Sequence, residues 1–190
     1  MPPSSRSTPE TTDAAHDTLL NAVEVLFYER GYQAVGMDEI REASGLSLKR
    51  IYALYPGKEA LAVAMLDRRD HRWNAELANY VDRYTEPDRR LLAVFDWLSV
   101  WLSGAGHRGC AWTNAYGELG GTSEAIADAA RRHKARLRDY LSDLTDDAGA
   151  SSTTADAAYL LAEGCMVAAG ITGSPEPATR ARRVVQQLLG

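Results

Sequence analysis

The sequence predicts an all-α fold of about nine helices: a three-helix N-terminal unit and a larger helical body. Three observations predict it. Apolar residues recur at helical rather than alternating spacing, strand signals are weak throughout, and glycine or proline punctuates the ends of the periodic runs. Apolar residues make up 45% and charged residues 25% of the 190, a composition that supports a real core. The net charge of −5 argues against bulk electrostatic coating of nucleic acid or membrane, although exposed charges are screened within about 10 Å and a local basic patch remains open.

The first residues, "MPPSSRSTPETTD", lack the apolar centre of a signal peptide, and residues 1–12 read as a disordered arm. The first helix starts near Asp13, carries Leu19, Val23 and Leu26 on one stripe flanked by Leu20 and Phe27, and stops at Gly31. "MDEIREAS" forms the second helix, from after Gly36 to Gly45, and "SLKRIYALY" the third, capped by Ser47 and ended by Pro56. A long fourth helix runs from Lys58 to about Tyr84. The fifth, launched by Pro87, is apolar almost all round from Leu91 to Leu102, with Asp96 and Ser99 its polar residues, so it belongs in the middle of a bundle. A short helix "CAWTNAYGEL" follows. The next, "SEAIADAARRHKARLRDYLSDL", is amphipathic, with Ile126, Ala130, His133, Leu137, Tyr140, Leu141 and Leu144 on one side. The last two are "TADAAYLLAEGCMVAAGI" and "ATRARRVVQQLL". No apolar run approaches the roughly 20 residues that span a bilayer, and a soluble, cytoplasmic protein without membrane contact is expected. Cys110 and Cys165 make no disulfide framework, which suits a reducing compartment.

Two short helices joined at Gly45 have the form of a helix-turn-helix, whose second helix enters the DNA major groove. Ile40, Ala43, Leu46 and Ile51 have the spacing to pack the pair together, leaving Ser47, Leu48, Lys49, Arg50, Tyr52 and Ala53 outward. Arginine and lysine suit guanine edges or phosphate, tyrosine can offer a hydroxyl to phosphate, and leucine can touch a thymine methyl. Lys58, opening the next helix, adds its charge to free backbone amides as a phosphate clamp. Residues 1–68 carry seven basic and ten acidic side chains, so attraction to double-stranded DNA has to come from placement.

In "LFYERGYQAVGMDEIREASGLS" and "IYALYPGKEAL", in that order and spacing, residues 13 to about 66 resemble the DNA-binding domain of the tetracycline-repressor (TetR) family of bacterial transcription regulators. "GCAWTNAYGELGG" is similar to a segment common in that family. The resemblance implies a cytoplasmic homodimer that binds a palindromic operator, usually as a repressor released by a small ligand. Its domains are a helix-turn-helix unit at 13–57 and a ligand-sensing and dimerisation unit at 58–190. Carried over by position, it implies DNA contacts at Ser47, Leu48, Lys49, Arg50, Tyr52, Tyr55 and Lys58, with Gly36 and Met37 starting the helix that meets the backbone. Gly36 stands where Ser or Thr commonly caps, and Leu48, Lys49, Arg50 and Leu54 depart from the usual residues, so the operator sequence is not readable.

All four tryptophans lie between residues 73 and 112. Such aromatic bulk either fills the core or walls an apolar pocket for a small apolar or aromatic inducer. The candidate ligand residues are Tyr80, Tyr84, Trp97, Trp101, Trp112, Asn114, Tyr116 and Glu118. Asp96, Ser99 and Ser103 face water or orient that ligand. The fourth helix, touching both units, would carry the signal. Ala155, Ala158, Ala162, Met166 and Ala169, with Ala178, Ala181, Val185, Leu188 and Leu189, form apolar faces that read as a two-fold dimer interface, with packing within the chain as the alternative.

Enzyme chemistry is not expected. His107 and Cys110 have no evident third partner, the four histidines show no metal spacing, "GELGG" is no phosphate loop, and no cofactor is implied. The alternative class is a helical small-molecule-binding or protein-interaction module without DNA affinity.

Overall fold

The computed structural model describes residues 9–190, with side chains from residue 13 onward. Among the described residues there are nine helices and no strands: α1 (Pro9–Arg30), α2 (Met37–Ser44), α3 (Leu48–Leu54), α4 (Lys58–Val81), α5 (Pro87–Leu102), α6 (Ala111–Leu119), α7 (Glu124–Asp147), α8 (Ser152–Thr172) and α9 (Glu176–Leu189). The expected arm at 1–12 therefore needs correction at its end. Residues 9–12 are helical, and the rest of the arm lies outside the described residues. Proline tolerates the first helical position because its missing N–H would be unpaired there anyway, so "PETTD" can extend the helix backwards. At the other end, α4 stops at Val81 rather than near Tyr84.

The N-terminal unit folds around Leu19, Val23 and Phe27 of α1, joined by Ile40 of α2, Ile51 of α3 and Leu61 of α4, all 0–1% exposed. Gly45 ends α2 at φ 67°, and its N–H donates to the Glu42 carbonyl. A β-carbon is strained in that left-handed conformation, so glycine lets the chain turn into α3 at once. Ala43, expected between α2 and α3, is instead exposed. Ser47 caps α3 by accepting from the Arg50 N–H at 3.2 Å.

α1 is bolted to α4 by charge. Glu24 accepts from Arg69 Nη1 at 2.7 Å, from Arg68 Nη2 at 3.3 Å and from Arg72. Arg69, 6% exposed, also lies 4.4 Å over the Tyr28 ring and donates to the Ala105 carbonyl. α5 sits centrally, as its all-round apolarity requires, in contact with α4, α7, α8 and α9. Its Asp96 pairs with Arg182 of α9 at 2.8 Å, and the Ser103 hydroxyl donates to the Ser99 carbonyl.

One expectation about α8 and α9 is revised. Ala155, Ala158, Ala162, Met166 and Ala169, with Ala178, Ala181 and Val185, are all buried within the single chain, so the small-residue faces close α8 onto its own neighbours. Of that set Leu188 is exposed; the other outward apolar residues on these helices are Leu160, Val167, Ile171 and Val184. By length and composition α8 could also cross a membrane, which an inspection for unbroken apolar runs overlooks. It packs instead against α5, α7 and α9, and its Glu163 is ion-paired with Lys134.

Candidate functional site

The reading head expected from the sequence comprises α3 with the starts of α2 and α4. Ser47, Lys49 and Tyr52 are exposed, Tyr52 by 50%, while Arg50 is half-buried. Leu48 and Met37 are partly buried against the core, so they anchor the head as well as bordering its outer face. Gly36 caps α2 without a hydroxyl. The Glu39 carboxylate accepts from the Gly36 N–H at 3.0 Å and from Arg30 at 2.6 Å. That hydrogen bond from Gly36, then Arg30, holds the Glu39 carboxyl below its ordinary pKa.

Two expected DNA contacts have other partners. The Tyr55 hydroxyl bonds His16 Nδ1 at 3.0 Å, with the rings edge to face, fastening the end of α3 to α1. Lys58 Nζ donates to the Val35 carbonyl at 2.9 Å and to that of Gln33 at 3.5 Å, tying the α1–α2 loop to α4. An ammonium has three donors, so one is left for a phosphate.

The candidate ligand residues are dispersed. Trp97 and Trp101 are 7% exposed and stack 5.8 Å apart, with Trp73 edge-on to both. They fill the interior between α4 and α5. Tyr80 and Tyr84 pack on each other at the far end of α4, 6.3 Å between centroids, with Arg83 over Tyr80. Trp112 and Tyr116 do share a cavity, of about 400 Å³, between α6 and α7 with Tyr159 of α8. Arg131, Lys134 and Arg138 stand on its α7 wall. Asn114 and Glu118 lie on the opposite side of α6, in a second cleft of about 520 Å³ toward α1 and α8.

Sequence reasoning missed how α6 is held. The Tyr28 hydroxyl donates to the Gly109 carbonyl at 2.8 Å and accepts from the Arg108 N–H at 3.1 Å. At the other end of α6, the Glu118 carboxylate accepts from the Gln33 N–H at 2.9 Å, and Gln33 Nε2 donates to the Glu118 carbonyl at 2.7 Å. The last turn of α1 and the loop behind it thus grip both ends of α6. These bonds join α6 directly to the N-terminal unit. Burial pushes the Tyr28 hydroxyl up to about 12, so it stays protonated and remains a donor.

Residues 19–65 match the profile of bacterial regulatory proteins of the tetR family, and residues 87–185 match that of the tetracyclin-repressor-like C-terminal domain. An HTH-type transcriptional regulator of Mycobacterium tuberculosis is 36% identical over 81 residues, 43% of this chain and 40% of that protein. The HTH-type transcriptional repressor ComR of Escherichia coli is 35% identical over 80 residues, 42% of this chain and 32% of that protein. The match thus spans less than half the length of either curated relative. In overall shape the chain is similar to the crystal structure of a TetR-family transcriptional regulator from Streptomyces coelicolor. The TM-score is 0.86 at 24% identity, over 93% of this chain and 95% of that one.

Proposed function

The chain belongs to the tetR family of bacterial regulatory proteins, and from that premise we propose that it is a homodimeric repressor that binds a palindromic operator and is released by a small ligand. The observation that carries the reading is α3 itself: a rigid seven-residue helix, capped by Ser47, that turns Lys49 and Tyr52 outward with Arg50 beside them. Lysine and arginine there can engage phosphate and guanine edges, and Tyr52 can reach a phosphate.

Two heads on one duplex require a two-fold pair of chains. The exposed faces of α8 and α9, with Leu160, Val167, Ile171, Val184 and Leu188, offer the apolar surface for it. The cavity walled by Trp112, Tyr116 and Tyr159 supports an aromatic or apolar ligand, and the Arg131, Lys134 and Arg138 side chains favour one that carries a negative group. Release needs a ligand that binds the DNA-incompetent arrangement better than the competent one. The hydrogen bonds from α6 to Tyr28 and Gln33 offer a route for that difference to reach α3.

A gel-shift series against salt tests the reading. Affinity for duplex DNA falls steeply as salt rises, and Lys49→Ala makes the log–log slope shallower by about one. Salt-independent or absent binding favours the alternative, a ligand-binding module without DNA affinity.

A further inference from the structure

We propose that Cys110 is a covalent acceptor for a small α,β-unsaturated carbonyl compound entering the cleft between α1, α6 and α8. The addition stands on the chemistry of the site; only its effect on DNA binding rests on the function proposed above.

Cys110 occupies the N-cap position of α6 and is one of six charged or ionisable groups drawn together from four helices. Lys134 Nζ of α7 lies 3.2 Å from Cys110 Sγ and also pairs with Glu163 of α8. The neighbouring His133 is 1% exposed, and its Nδ1 lies 2.7 Å from Asp70 Oδ1 of α4, whose other oxygen takes Arg136. With the proton on the imidazole and none on the sulfur, charge alternates from Arg136 through Asp70, His133, Cys110 and Lys134 to Glu163, and sums to zero. Buried charges persist when each is answered by its opposite. A neutral thiol would leave Lys134 with Glu163 alone. His133 Nε2, buried and without a hydrogen-bond partner of ordinary geometry, would then face no anion. Trp112 stacks on the same imidazole at 3.5 Å and Trp73 stands edge-on at 5.1 Å, an arrangement that suits an imidazolium.

The titration follows from these neighbours. Burial alone would raise the Cys110 pKa, but the interaction with His133, the Lys134 charge and Thr113 outweigh it and bring the thiol down to about 6. Burial would lower His133, yet Asp70 and Cys110 raise it. The groups that face the sulfur are His133 and Lys134 of α7, Thr113 of α6, Tyr159 of α8, and Tyr28 and Tyr32 of α1, with Glu163 of α8 acting through Lys134 and Asp70 of α4 through His133. Cys165 is the contrast: burial and Glu163 push it up to about 12, and its thiol donates to the Ala162 carbonyl. It cannot serve as a second thiolate at neutral pH, so the chemistry is that of a single sulfur: addition, not disulfide formation.

The site also has an approach. Cys110 lines the cleft of about 520 Å³ with Tyr28, Asn114, Met166, Val167 and Ile171. The preceding Gly109, at φ 76°, presses so close to α8 that a β-carbon would sit 2.7 Å from the Met166 carbonyl oxygen. Cys110, 2% exposed, lies at the wall of that cleft, so the cleft is the side from which a small planar reagent approaches the sulfur. In the step, Sγ attacks the β-carbon and forms a C–S bond while the π pair moves to the enolate. The α-carbon then takes a proton from Lys134, which regains one from solvent. Nothing is oxidised and nothing leaves. The resulting thioether is uncharged, so the alternation breaks between α6 and α7, beside the bonds from α6 to Tyr28 of the head.

The test treats the full-length protein with 2-cyclohexen-1-one from acidic to alkaline pH. Intact mass and peptide mapping follow the adduct, and duplex binding is measured before and after. The expected result is a single adduct at Cys110, none at Cys165, and a rate that rises with a midpoint near 6 and then levels. Lys134→Gln moves that midpoint upward and slows the reaction below it by about tenfold per pKa unit. Cys110→Ser abolishes the adduct and the loss of DNA binding that accompanies it. If Lys134→Gln fails to fold, the unfolded wild-type chain replaces it as reference, with both cysteines reacting at a midpoint of about 8.5. No adduct on the native chain, equal labelling of both cysteines, or a native midpoint near that of the unfolded chain overturns the proposal. An untreated protein that ignores every duplex overturns the functional reading instead.

Discussion

Replacing Glu24 by glutamine removes the charge that joins α1 to α4. The Glu24 side chain is 14% exposed and serves three arginines, of which Arg69 is the most buried at 8%. Removing one partner of a buried ion pair costs about 3–5 kcal/mol, because the other charge is left unanswered. Arg69 retains part of its support: the Ala105 carbonyl at 3.3 Å and the Tyr28 ring at 4.4 Å, the latter worth about 1–2 kcal/mol. Arg68 and Arg72 are more exposed, and each pair contributes at most about 1 kcal/mol. The expected loss is about 2–4 kcal/mol, read as a lower urea midpoint at unchanged slope, with a fall in Tm of about 2–4 °C per kcal/mol for a chain of this size. Glu24→Gln combined with Arg69→Met should recover at least half of that loss, since the stranded charge goes with the arginine. A loss below about 1 kcal/mol, or a double variant as unstable as the sum of the singles, would refute the assignment of Glu24 as the joint.

Three further outcomes follow from particular residues. Gly109→Ala forces a β-carbon 2.7 Å from a backbone oxygen at φ 76° and should cost well over the ~1 kcal/mol of an ordinary glycine replacement, in the same urea assay. Ile171→Glu, at a residue 81% exposed, should leave monomer stability within about 0.5 kcal/mol yet shift sedimentation from dimer to monomer. For Asp70, burial alone would raise the carboxyl, but His133 and Arg136 overcome it and hold the pKa below 3.8. Its contribution is therefore complete above the unfolded-state pKa and lost as pH falls through the lowered folded value. Asp70→Asn should flatten the acid limb of the stability profile between those two pKa values and, because Asp70 also raises His133, remove part of the stability that is lost as pH rises through the His133 titration.

The head was readable from sequence because its signals are local. Gly45 and Ser47 announce the turn and the cap within three residues, and both behave as expected. The periodic runs likewise mark the nine helices, with errors of a few residues where proline hid the start of α1. What stayed hidden depends on packing between distant segments. The faces of Ala158, Ala162 and Val185 have the same spacing whether they meet a second chain or their own, and only the surrounding helices decide that they turn inward. The tryptophans could fill or enclose, and Trp97 and Trp101 fill because they stack on each other and Trp73 packs edge-on against both. Lys58 and Tyr55 carry the right chemistry for phosphate, yet Val35 and His16 engage them. The Cys110 cluster unites α4, α6, α7 and α8. Its one sequence trace is His133, a titratable residue on the apolar stripe of α7.

Selection of bound duplexes from a random pool by the full-length protein tests the central claim, that α3 is a sequence-reading probe presented twice about a two-fold axis. Enriched sites should be inverted repeats whose half-sites lie about one helical turn apart, or a multiple of it, and Arg50→Ala should blur them. Recovery of asymmetric sites, or of no enriched sequence at low salt, would contradict it.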